Sequence, residues 1–573
     1  MHKSLFLGPH GENAGFFQQI WGELLERTLA HRRSTFADDD SLNIGAPAPA
    51  QVQAVTREIE QFFAILQKEV PTFSNRYLGH MISDVSIPAL IGHAAVLFCN
   101  PNLASREVAS AGVQFETQAI NALAAMIGFE PVACRGHFTS GGTLANFEAF
   151  WRARFRLDHW LSLAAWLLET GHADEDIFQL AHLGWERFDA CRAGHELEPQ
   201  VLAERSYVVQ GPWNIARYYR DTLGRDFPQP VVLVPGNKHY SWPKAANIFG
   251  LSEQAIWPIQ LDRYGRASID SLRANIERAR REQRPIMMAV SVAGTTELGT
   301  VDAVDEACEL FDDYRRQHNI DIWHHVDAAY GGYFCATFRG GQSLLPERAV
   351  RAFSALARAD SVTLDPHKLG FVPYACGAFL VREPRAYSVS RISAPYLVED
   401  TDIDHPSWST TLEGSRSATG AGAVWLSSRV LPLNAQGHGA VLNQTLATTR
   451  ELAHRLEQGF DNIYFTPGDD TNIVCFTLAA PGSSLRATNL STARIIEQFH
   501  HSPNFAISRT ALGIGNYGEL VNHLVGQWGG SVDDDHLLVI RMVVMSPYLG
   551  DSAITGALLD EFVAELRRFS APS

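Results

Sequence analysis

The chain has 573 residues, of which 46% are hydrophobic, and its formal net charge at pH 7 is −16. A chain of this length can form two to four domain-sized units with substantial cores. The excess of acidic residues offers no sign of the basic surface that nucleic acids and anionic membranes require, so we predict neither as a partner.

The cysteines and the N-terminus favour a cytoplasmic protein. The seven cysteines are odd in number and scattered, with no Cys-x-x-Cys pair, so neither a disulfide framework nor a zinc site is predicted. Residues 1–17 lack a continuous apolar core, and residues 160–168 are too few to span a bilayer. We expect a soluble protein that is not exported and that binds no metal.

Residues 1–105 are predicted to be mostly helical and to form a dimerisation segment. Apolar residues recur at helical spacing in two stripes, which are Phe16, Phe17, Ile20, Trp21, Leu24 and Leu25, and Val55, Ile59, Phe62, Phe63 and Leu66. Such stripes must be buried, and the segment has little bulk of its own. We therefore expect it to pack on a second subunit, which makes a homodimer the predicted assembly.

Residues 106–424 are predicted to form a large α/β domain that begins with a candidate phosphate site. Residues 140–143, Ser-Gly-Gly-Thr, directly precede a helical stretch. Glycines at a helix entrance expose backbone N–H groups, and the helix dipole favours an anion there. An ordinary helix N-cap explains the same residues, and the motif taken alone favours that interpretation.

From residue 230 onward, apolar runs alternate with helical stretches. The runs are residues 231–236, 255–261, 286–292, 320–327 and 361–365. This alternation predicts a mostly parallel sheet with helices on both faces, and such sheets bind ligands beyond the carboxyl ends of their strands. His239, Thr295, Asp327 and Lys368 each follow a strand, so we expect them to meet in one crevice.

Asp327 ends a predicted strand that is apolar on both sides. A buried carboxylate needs a fixed cation, because an unpaired one is costly to bury. A protonated pyridine nitrogen would serve, and Ala328 and Ala329 leave room for a flat ring. A helix N-cap or a structural ion pair would also explain Asp327.

Lys368 lies in an apolar stretch of a chain that has only five lysines and forty-two arginines. An amine can lose its proton and attack a carbonyl, whereas a guanidinium stays protonated. One hypothesis is therefore a Schiff base between Lys368 and an aldehyde cofactor. The other is a lysine that extends to solvent from the end of a buried strand.

Residues 386–418 are polar and long enough to form a mobile loop. Residues 425–573 are predicted to form a smaller α+β domain, with strands at 472–478, 505–509 and 537–545 and a final helix from Ile554. Residues 513–518 match G-x-G-x-x-G, but they lie outside the predicted parallel sheet, so a dinucleotide site is the weaker hypothesis.

Four motifs in this order resemble the group II pyridoxal-phosphate-dependent amino-acid decarboxylases. They are residues 140–143, 239–241, 327–330 and 365–368. The resemblance extends from about residue 71 to residue 549 and implies an aspartate-aminotransferase-like fold type I, pyridoxal 5'-phosphate as cofactor, and a homodimer. Within the family, three stretches are most similar to bacterial tyrosine decarboxylases, namely residues 76–84, residues 237–248, and residues 508–510 together with 541–549.

The resemblance also implies roles for individual residues. Lys368 would bind the cofactor covalently, and Asp327 would keep its pyridine nitrogen protonated. Ala329 would lie beneath the ring, His239 would stack on the other face, and His367 would lie near the phosphate.

Further roles carry over in the same way. The other implied cofactor-binding residues are Gly142, Thr143, Asp365 and Thr295, the last being also close to the substrate carboxylate. Tyr396 would protonate Cα after CO2 leaves. The residues implied for the substrate pocket are His80, Asp84, Tyr374 and Ser546.

The resulting prediction is decarboxylation of an L-amino acid, with tyrosine or another aromatic residue as substrate. A non-aromatic substrate such as glutamate is the alternative, and an acidic side chain would call for an arginine, the candidates being Arg76, Arg416 and Arg541. A nucleotide-dependent oxidoreductase and a catalytically silent binding protein remain as hypotheses of another class.

Overall fold

The structure is a computed structural model that describes residues 2–35, 44–173, 175–392, 405–550 and 552–571. In these ranges, twelve strands form one sheet of seven strands and one of five. The strands are β1 (Tyr77–Leu78), β2 (Arg135–Thr139), β3 (Val231–Pro235), β4 (Ile256–Ile259), β5 (Ile286–Val292), β6 (His324–Asp327), β7 (Ser361–Leu364), β8 (Gly377–Val381), β9 (Ile463–Phe465), β10 (Ile473–Leu478), β11 (Ala506–Gly513) and β12 (His536–Val543).

The large sheet has the strand order β2-β8-β7-β6-β5-β3-β4. Strands β4, β3, β5, β6 and β7 run parallel to one another, and β8 runs antiparallel to both β7 and β2. Every residue of β3 and β5 is buried, as expected of strands covered on both faces. The five predicted parallel strands are confirmed, and β2 and β8 extend the sheet beyond them.

Twenty α-helices surround the two sheets in the described part of the chain. They are α1 (Ala14–Ser34), α2 (Pro49–Leu66), α3 (Ile87–Cys99), α4 (Ser110–Ile127), α5 (Gly142–Thr170), α6 (Ile177–Leu180), α7 (Trp185–Gly194), α8 (Pro199–Ala203), α9 (Tyr207–Gln210), α10 (Pro212–Leu223), α11 (Ser241–Ile248), α12 (Ile269–Arg281), α13 (Val304–His318), α14 (Glu347–Ser354), α15 (Arg385–Ser388), α16 (Thr419–Val430), α17 (His438–Gly459), α18 (Leu485–His501), α19 (Ile514–Gln527) and α20 (Ser552–Ser570).

Helices cover both faces of the large sheet. In β3, Val232 and Val234 belong to a core formed with α5, α10 and α11. Val231 and Leu233 of the same strand belong to a second core, formed with α12 and α13. Because successive side chains of a strand point to opposite faces, the sheet lies between two helical layers, and its carboxyl-terminal edge stays open for a ligand.

The small sheet has the strand order β1-β11-β12-β10-β9. Strands β9 to β12 pair antiparallel, whereas β1 pairs parallel with β11. Helices α18 and α20 cover one face with Phe499 and Phe562, whose rings stack 5.4 Å apart. The three predicted C-terminal strands and the final helix are confirmed, and β1 joins them from the N-terminal segment.

Residues 513–518 do not form a dinucleotide site of the predicted kind. Gly513 ends β11, and α19 then leads into β12, which is antiparallel to β11. The glycine fingerprint requires a parallel β-α-β unit. The hypothesis of a nucleotide-dependent oxidoreductase therefore loses its structural basis.

The N-terminal helices expose their apolar stripes. No residue of α1 or α2 is buried, and Ile59, Phe62 and Phe63 are 51%, 61% and 54% exposed. None of the described helices combines the length and the apolar character needed to cross a membrane.

Candidate active site

A cavity of about 500 Å³ opens at the carboxyl-terminal edge of the large sheet, where β5, β6 and β7 end. This volume lies in the usual range for small-molecule sites. It brings together residues from the predicted phosphate motif, from the three strand ends and from the segment before α11. The lining residues are Ser140, Gly141, Gly142, Thr143, Leu144, Asn146, Phe147, Asn237, His239, Tyr240, Val292, Gly294, Thr296, Asp327, Ala329, Tyr330, Asp365, His367, Lys368 and Tyr374.

Lys368 is held by a tight turn that follows β7. Its backbone N–H donates to the carbonyl of Asp365 at 2.9 Å, and the N–H of Asp365 donates to the carbonyl of Ala329 at 3.1 Å. The Lys368 Nζ lies 3.0 Å from Asp365 Oδ2. Burial alone would lower the pKa of Lys368, but the charge and hydrogen bond of Asp365, together with smaller effects of Asp327 and Tyr374, outweigh it and raise this pKa. Without a cofactor, the amine is therefore an ammonium group.

Asp327, the last residue of β6, is buried and faces the cavity. Its Oδ2 accepts a hydrogen bond of 2.8 Å from Asn146 Nδ2, and its Oδ1 accepts one of 3.3 Å from the N–H of Ala329. No lysine, arginine or histidine of the described residues forms an ion pair with it. A buried carboxylate with neutral partners and an open cavity beside it suits a cationic ring nitrogen.

His239 lines the cavity next to Asp327. The N–H of Ser241 donates to His239 Nδ1 at 3.3 Å, so the proton of the neutral imidazole lies on Nε2. Ser241 Oγ lies 3.0 Å from Nδ1 and accepts a hydrogen bond from Asn146 Nδ2 at 3.0 Å. Burial lowers the pKa of His239, and Asp327 opposes this shift.

The predicted phosphate motif lies at the start of the 29-residue helix α5. The first N–H groups of a helix have no partner within it, and they and the helix dipole attract an anion. A Cβ on Gly142 would lie 2.8 Å from Asp365 Oδ2 and 3.2 Å from the Cβ of Ala329. Glycine therefore lets the helix approach the turn that carries Lys368 without displacing the side chains of Asp365 and Ala329.

Thr295 is not among the residues that line the cavity, and its predicted role near the cofactor stays a prediction. It is buried, and its hydroxyl lies 2.9 Å from that of Thr300 and accepts a hydrogen bond from the Thr300 N–H. The side chain thus stabilises the turn after β5. The neighbouring residue Thr296 lines the cavity instead.

Three of the four residues predicted for the substrate pocket lie outside the cavity lining. Asp84 accepts a hydrogen bond from the hydroxyl of Tyr548, and Ser546 donates to Asn75 at 2.7 Å. His80 lies near Arg541, whose charge, together with burial, lowers its pKa. In the single chain these contacts hold the three side chains outside the cavity lining, and their role in substrate binding stays a prediction.

Tyr374 lines the cavity and stacks on His367 with a distance of 3.9 Å between ring centroids. It is 55% exposed, so the aromatic ring forms part of the cavity entrance. Tyr396 lies outside the described residues, and its predicted role stays a prediction.

Asn146 was not identified from the sequence, and Ser241 was part of the motif 239–241 without an assigned role. Asn146 donates to both Asp327 and Ser241, and thereby connects the groups on two sides of the cavity. It lies four residues after Gly142 and so on the same face of α5. The four-residue spacing from Gly142 could have identified Asn146, because a polar residue on the phosphate-binding face of this helix is expected to point into the site.

The similarity of this chain to known proteins agrees with the geometry of the site. Residues 223–479 match the family model described as the pyridoxal-dependent decarboxylase conserved domain. An L-tyrosine decarboxylase of Levilactobacillus brevis is 28% identical over 95% of this chain and 92% of its own length, and one of Enterococcus faecium is 26% identical over 96% of both. Over nearly its whole length, this chain is similar to pyridoxal-dependent decarboxylases.

Solved structures support the fold of this pyridoxal-dependent decarboxylase. A tryptophan decarboxylase from Catharanthus roseus superimposes with a TM-score of 0.61, covering 92% of this chain and 90% of that one. At 15% sequence identity, this likeness concerns the fold alone.

Pyridoxal 5'-phosphate is the cofactor of this family, and the cavity has groups suited to each part of it. Lys368 offers an amine for the aldehyde of the cofactor, and Asp327 offers a carboxylate, not paired with a cation, for the ring nitrogen. The start of α5 offers unpaired N–H groups for the phosphate. The predictions for the cofactor and for the enzyme class are thus confirmed.

Proposed function

We propose that this enzyme decarboxylates L-tyrosine, or a closely related aromatic amino acid, to the corresponding amine and CO2. The observation that supports this substrate is the match to L-tyrosine decarboxylases over more than nine-tenths of both chains. We also propose the finer fold assignment, an aspartate-aminotransferase-like fold type I.

The cavity lining favours an aromatic substrate over an acidic one. No arginine is found among the described residues that line it, whereas Phe147, Tyr240 and Tyr374 are. An acidic side chain would need a cation beyond Lys368.

The three candidate arginines have other partners. Arg416 forms a buried pair with Glu116, and Arg76 pairs with Glu561. Arg541 donates to the carbonyl of Gly79 and to the hydroxyl of Ser508. The glutamate alternative therefore has no support from this cavity.

Each residue of the site has a defined task in the proposed reaction. Pyridoxal phosphate would supply an electron-withdrawing ring for the electron pair left when the carboxylate departs. Asp327 would hold the proton on the ring nitrogen, and the N–H groups at the start of α5 would bind the phosphate. His239 presents its Nε2–H to the cavity. On the family resemblance, Tyr396 returns a proton to Cα.

A panel of amino acids tests the substrate. We expect kcat/KM for L-tyrosine to exceed that for L-glutamate and L-aspartate by at least about 100-fold, because a buried site without a matching cation rejects a second carboxylate. The measurement is CO2 release by the cofactor-loaded enzyme at a fixed pH, with L-phenylalanine and L-tryptophan to define the aromatic range. Faster turnover of an acidic amino acid would refute the proposed substrate while leaving the family assignment intact.

We further propose a homodimer whose interface includes the apolar stripe of α2. The stripe comprises Val55, Ile59, Phe62, Phe63 and Leu66, which are between 45% and 61% exposed in the single chain. A contiguous exposed apolar face of this kind marks a protein–protein interface. Its position in the N-terminal segment suits the proposed division into a dimerisation segment (1–105), a large domain (106–424) and a small domain (425–573).

The dimer is tested by charging the stripe. We expect sedimentation to give twice the chain mass of 63.3 kDa for the wild type, and the double variant Ile59→Asp/Phe62→Asp to sediment as a monomer, because buried carboxylates oppose association. Gln61→Asp, on the opposite side of the same helix, is the matched control and should remain dimeric. A wild-type monomer at micromolar concentration would contradict the proposed assembly.

We also propose that the enzyme works in a reducing compartment such as the cytoplasm. All seven cysteines are free in the structure, and free thiols persist where the redox poise is reducing.

A further inference from the structure

We propose that Asp365 is a positioning residue for Lys368: its carboxylate holds the lysine as an ammonium group whenever Lys368 is not bonded to the cofactor. This inference concerns the free amine of the chain and does not depend on which amino acid is the substrate. It replaces the role of cofactor-binding residue that the sequence resemblance implies for Asp365.

The geometry of the turn gives Asp365 one main partner. Its side chain is 3% exposed, and its Oδ2 lies 3.0 Å from Lys368 Nζ. Its Oδ1 is buried and has no hydrogen-bond partner among the described residues. The backbone hydrogen bond between the same two residues, at 2.9 Å, fixes their separation. The negative charge of the buried Asp365 carboxylate is therefore balanced by the groups that contact its Oδ2.

His367 is the second group near Asp365 Oδ2, and it is the weaker partner. The N–H of Cys376 donates to His367 Nδ1 at 3.3 Å, so the ring proton lies on Nε2, which is 3.6 Å from Oδ2. Burial lowers the pKa of His367. The negative charge of Asp365 acts against this shift, and the positive charge of Lys368 lowers the pKa further. The imidazole is thus mainly neutral while Lys368 carries the charge.

A direct contact between Asp365 and the cofactor phosphate would be repulsive. Oδ2 lies 2.8 Å from the position of a Cβ on Gly142, at the start of α5 where the phosphate is expected. An ionised carboxylate only accepts hydrogen bonds, and so does a phosphate dianion. Asp365 is therefore suited to hold a cation beside the phosphate site, and the nearest cation is Lys368.

The groups around the amine determine when it is charged. Asp365 lies in its own turn, Asp327 faces it from the end of β6, and Tyr374 faces it from the cavity entrance; all three raise the pKa of Lys368 against the effect of burial. His239 faces it from the segment before α11, and Tyr333 and Cys376 lie behind Asp365. Of these groups, Asp365 contributes most.

The proton balance of the reaction explains the benefit of this pair. The cofactor would supply an aldehyde carbon to which Lys368 and the substrate's amino group bind in turn. A substrate that enters as an ammonium ion would give up one proton, and the released Lys368 would take one up. Asp365 would then hold the released lysine as its ammonium, which is not a nucleophile.

Labelling of the full-length protein without cofactor tests the pair directly. Cyanate carbamylates only neutral amines, and the chain has five lysines, so mass spectrometry can follow each of them against pH. The plateau of the pH profile reports access to the amine, and its midpoint reports ionisation. We expect the wild-type midpoint for Lys368 to lie above that of the exposed Lys68, which serves as internal standard.

In Asp365→Asn we expect Lys368 to be carbamylated at least about tenfold faster at pH 8, with its midpoint moved to lower pH, because burial then dominates. Asp365→Glu keeps the charge and should stay close to wild type, and labelling of Lys68 should be the same in all three proteins. An unchanged Lys368 midpoint in Asp365→Asn overturns the proposal. If that variant fails to fold, a wild-type Lys368 midpoint at or below that of Lys68 overturns it equally.

Discussion

Lys368→Ala is expected to lower kcat by roughly 10⁴-fold or more, as the loss of a covalent catalytic group does in other enzymes. Lys368 offers the only amine among the described residues that line the cavity. Its side chain is 20% exposed, so its removal leaves little empty core, and we expect the variant to fold. The measurements are CO2 release, circular dichroism, and cofactor retention after borohydride reduction and denaturation.

Lys244→Ala is the matched control for this substitution. Lys244 lies 4.5 Å from the ring centroid of Tyr240, near the cavity but outside its lining. We expect the control to retain kcat within about threefold and to keep the cofactor attached after reduction. A Lys368→Ala protein with full turnover would exclude Lys368 from catalysis and end the proposed mechanism.

The large sheet could be predicted from the sequence because its strands are buried on both faces. Runs such as residues 286–292 contain no charged residue and are separated by helical stretches of suitable length. The edge strand β2 has no such signal. His137 and Thr139 make it polar, and it is stabilised by tertiary contacts, in which His137 Nδ1 lies 2.6 Å from the Tyr387 hydroxyl and Nε2 lies 3.1 Å from Glu148.

The core of the site could be predicted because its residues follow strand ends. Asp327, Lys368 and His239 are found where the rule for parallel sheets places them. Which of Thr295 and Thr296 lines the cavity could not be read from the strand pattern, because β5 ends at Val292. In the turn that follows, the alternation of side chains no longer applies, and the hydrogen bonds with Thr300 decide which threonine faces inward.

The substrate side of the site could not be predicted by the same rules. His80, Asp84 and Ser546 come from segments on either end of the chain, and β1 pairs with β11 across more than 400 residues. Contacts of such separation carry no local pattern in the sequence. Which partners they choose depends on packing between elements, and that is determined only in the folded chain.

The second large effect is expected for Asp327→Asn, for which we predict that kcat falls roughly 10²- to 10³-fold while the cofactor stays bound. Removing one preorganised electrostatic partner from an active site typically lowers kcat by a factor of this size. Binding persists because Lys368 and the start of α5 are unchanged. A neutral carboxamide cannot stabilise a proton on the ring nitrogen, so the ring accepts electrons less readily. The measurements are kcat, KM, and the pH dependence of the cofactor's visible absorbance.

The variant Asp327→Glu distinguishes the effect of the negative charge at this site from the effect of the exact position of the carboxylate. It restores the negative charge one methylene further out, where the hydrogen bond from Asn146 Nδ2, 2.8 Å long in the wild type, is no longer optimal. If charge determines the rate, the Glu variant recovers most of the pH dependence of the absorbance and part of kcat. If Asp327 only orients Asn146, both variants lose activity equally and the absorbance titrates as in the wild type. That result would contradict the assignment of Asp327 to the ring nitrogen and would transfer its importance to the hydrogen bonds that join Asn146, Ser241 and His239.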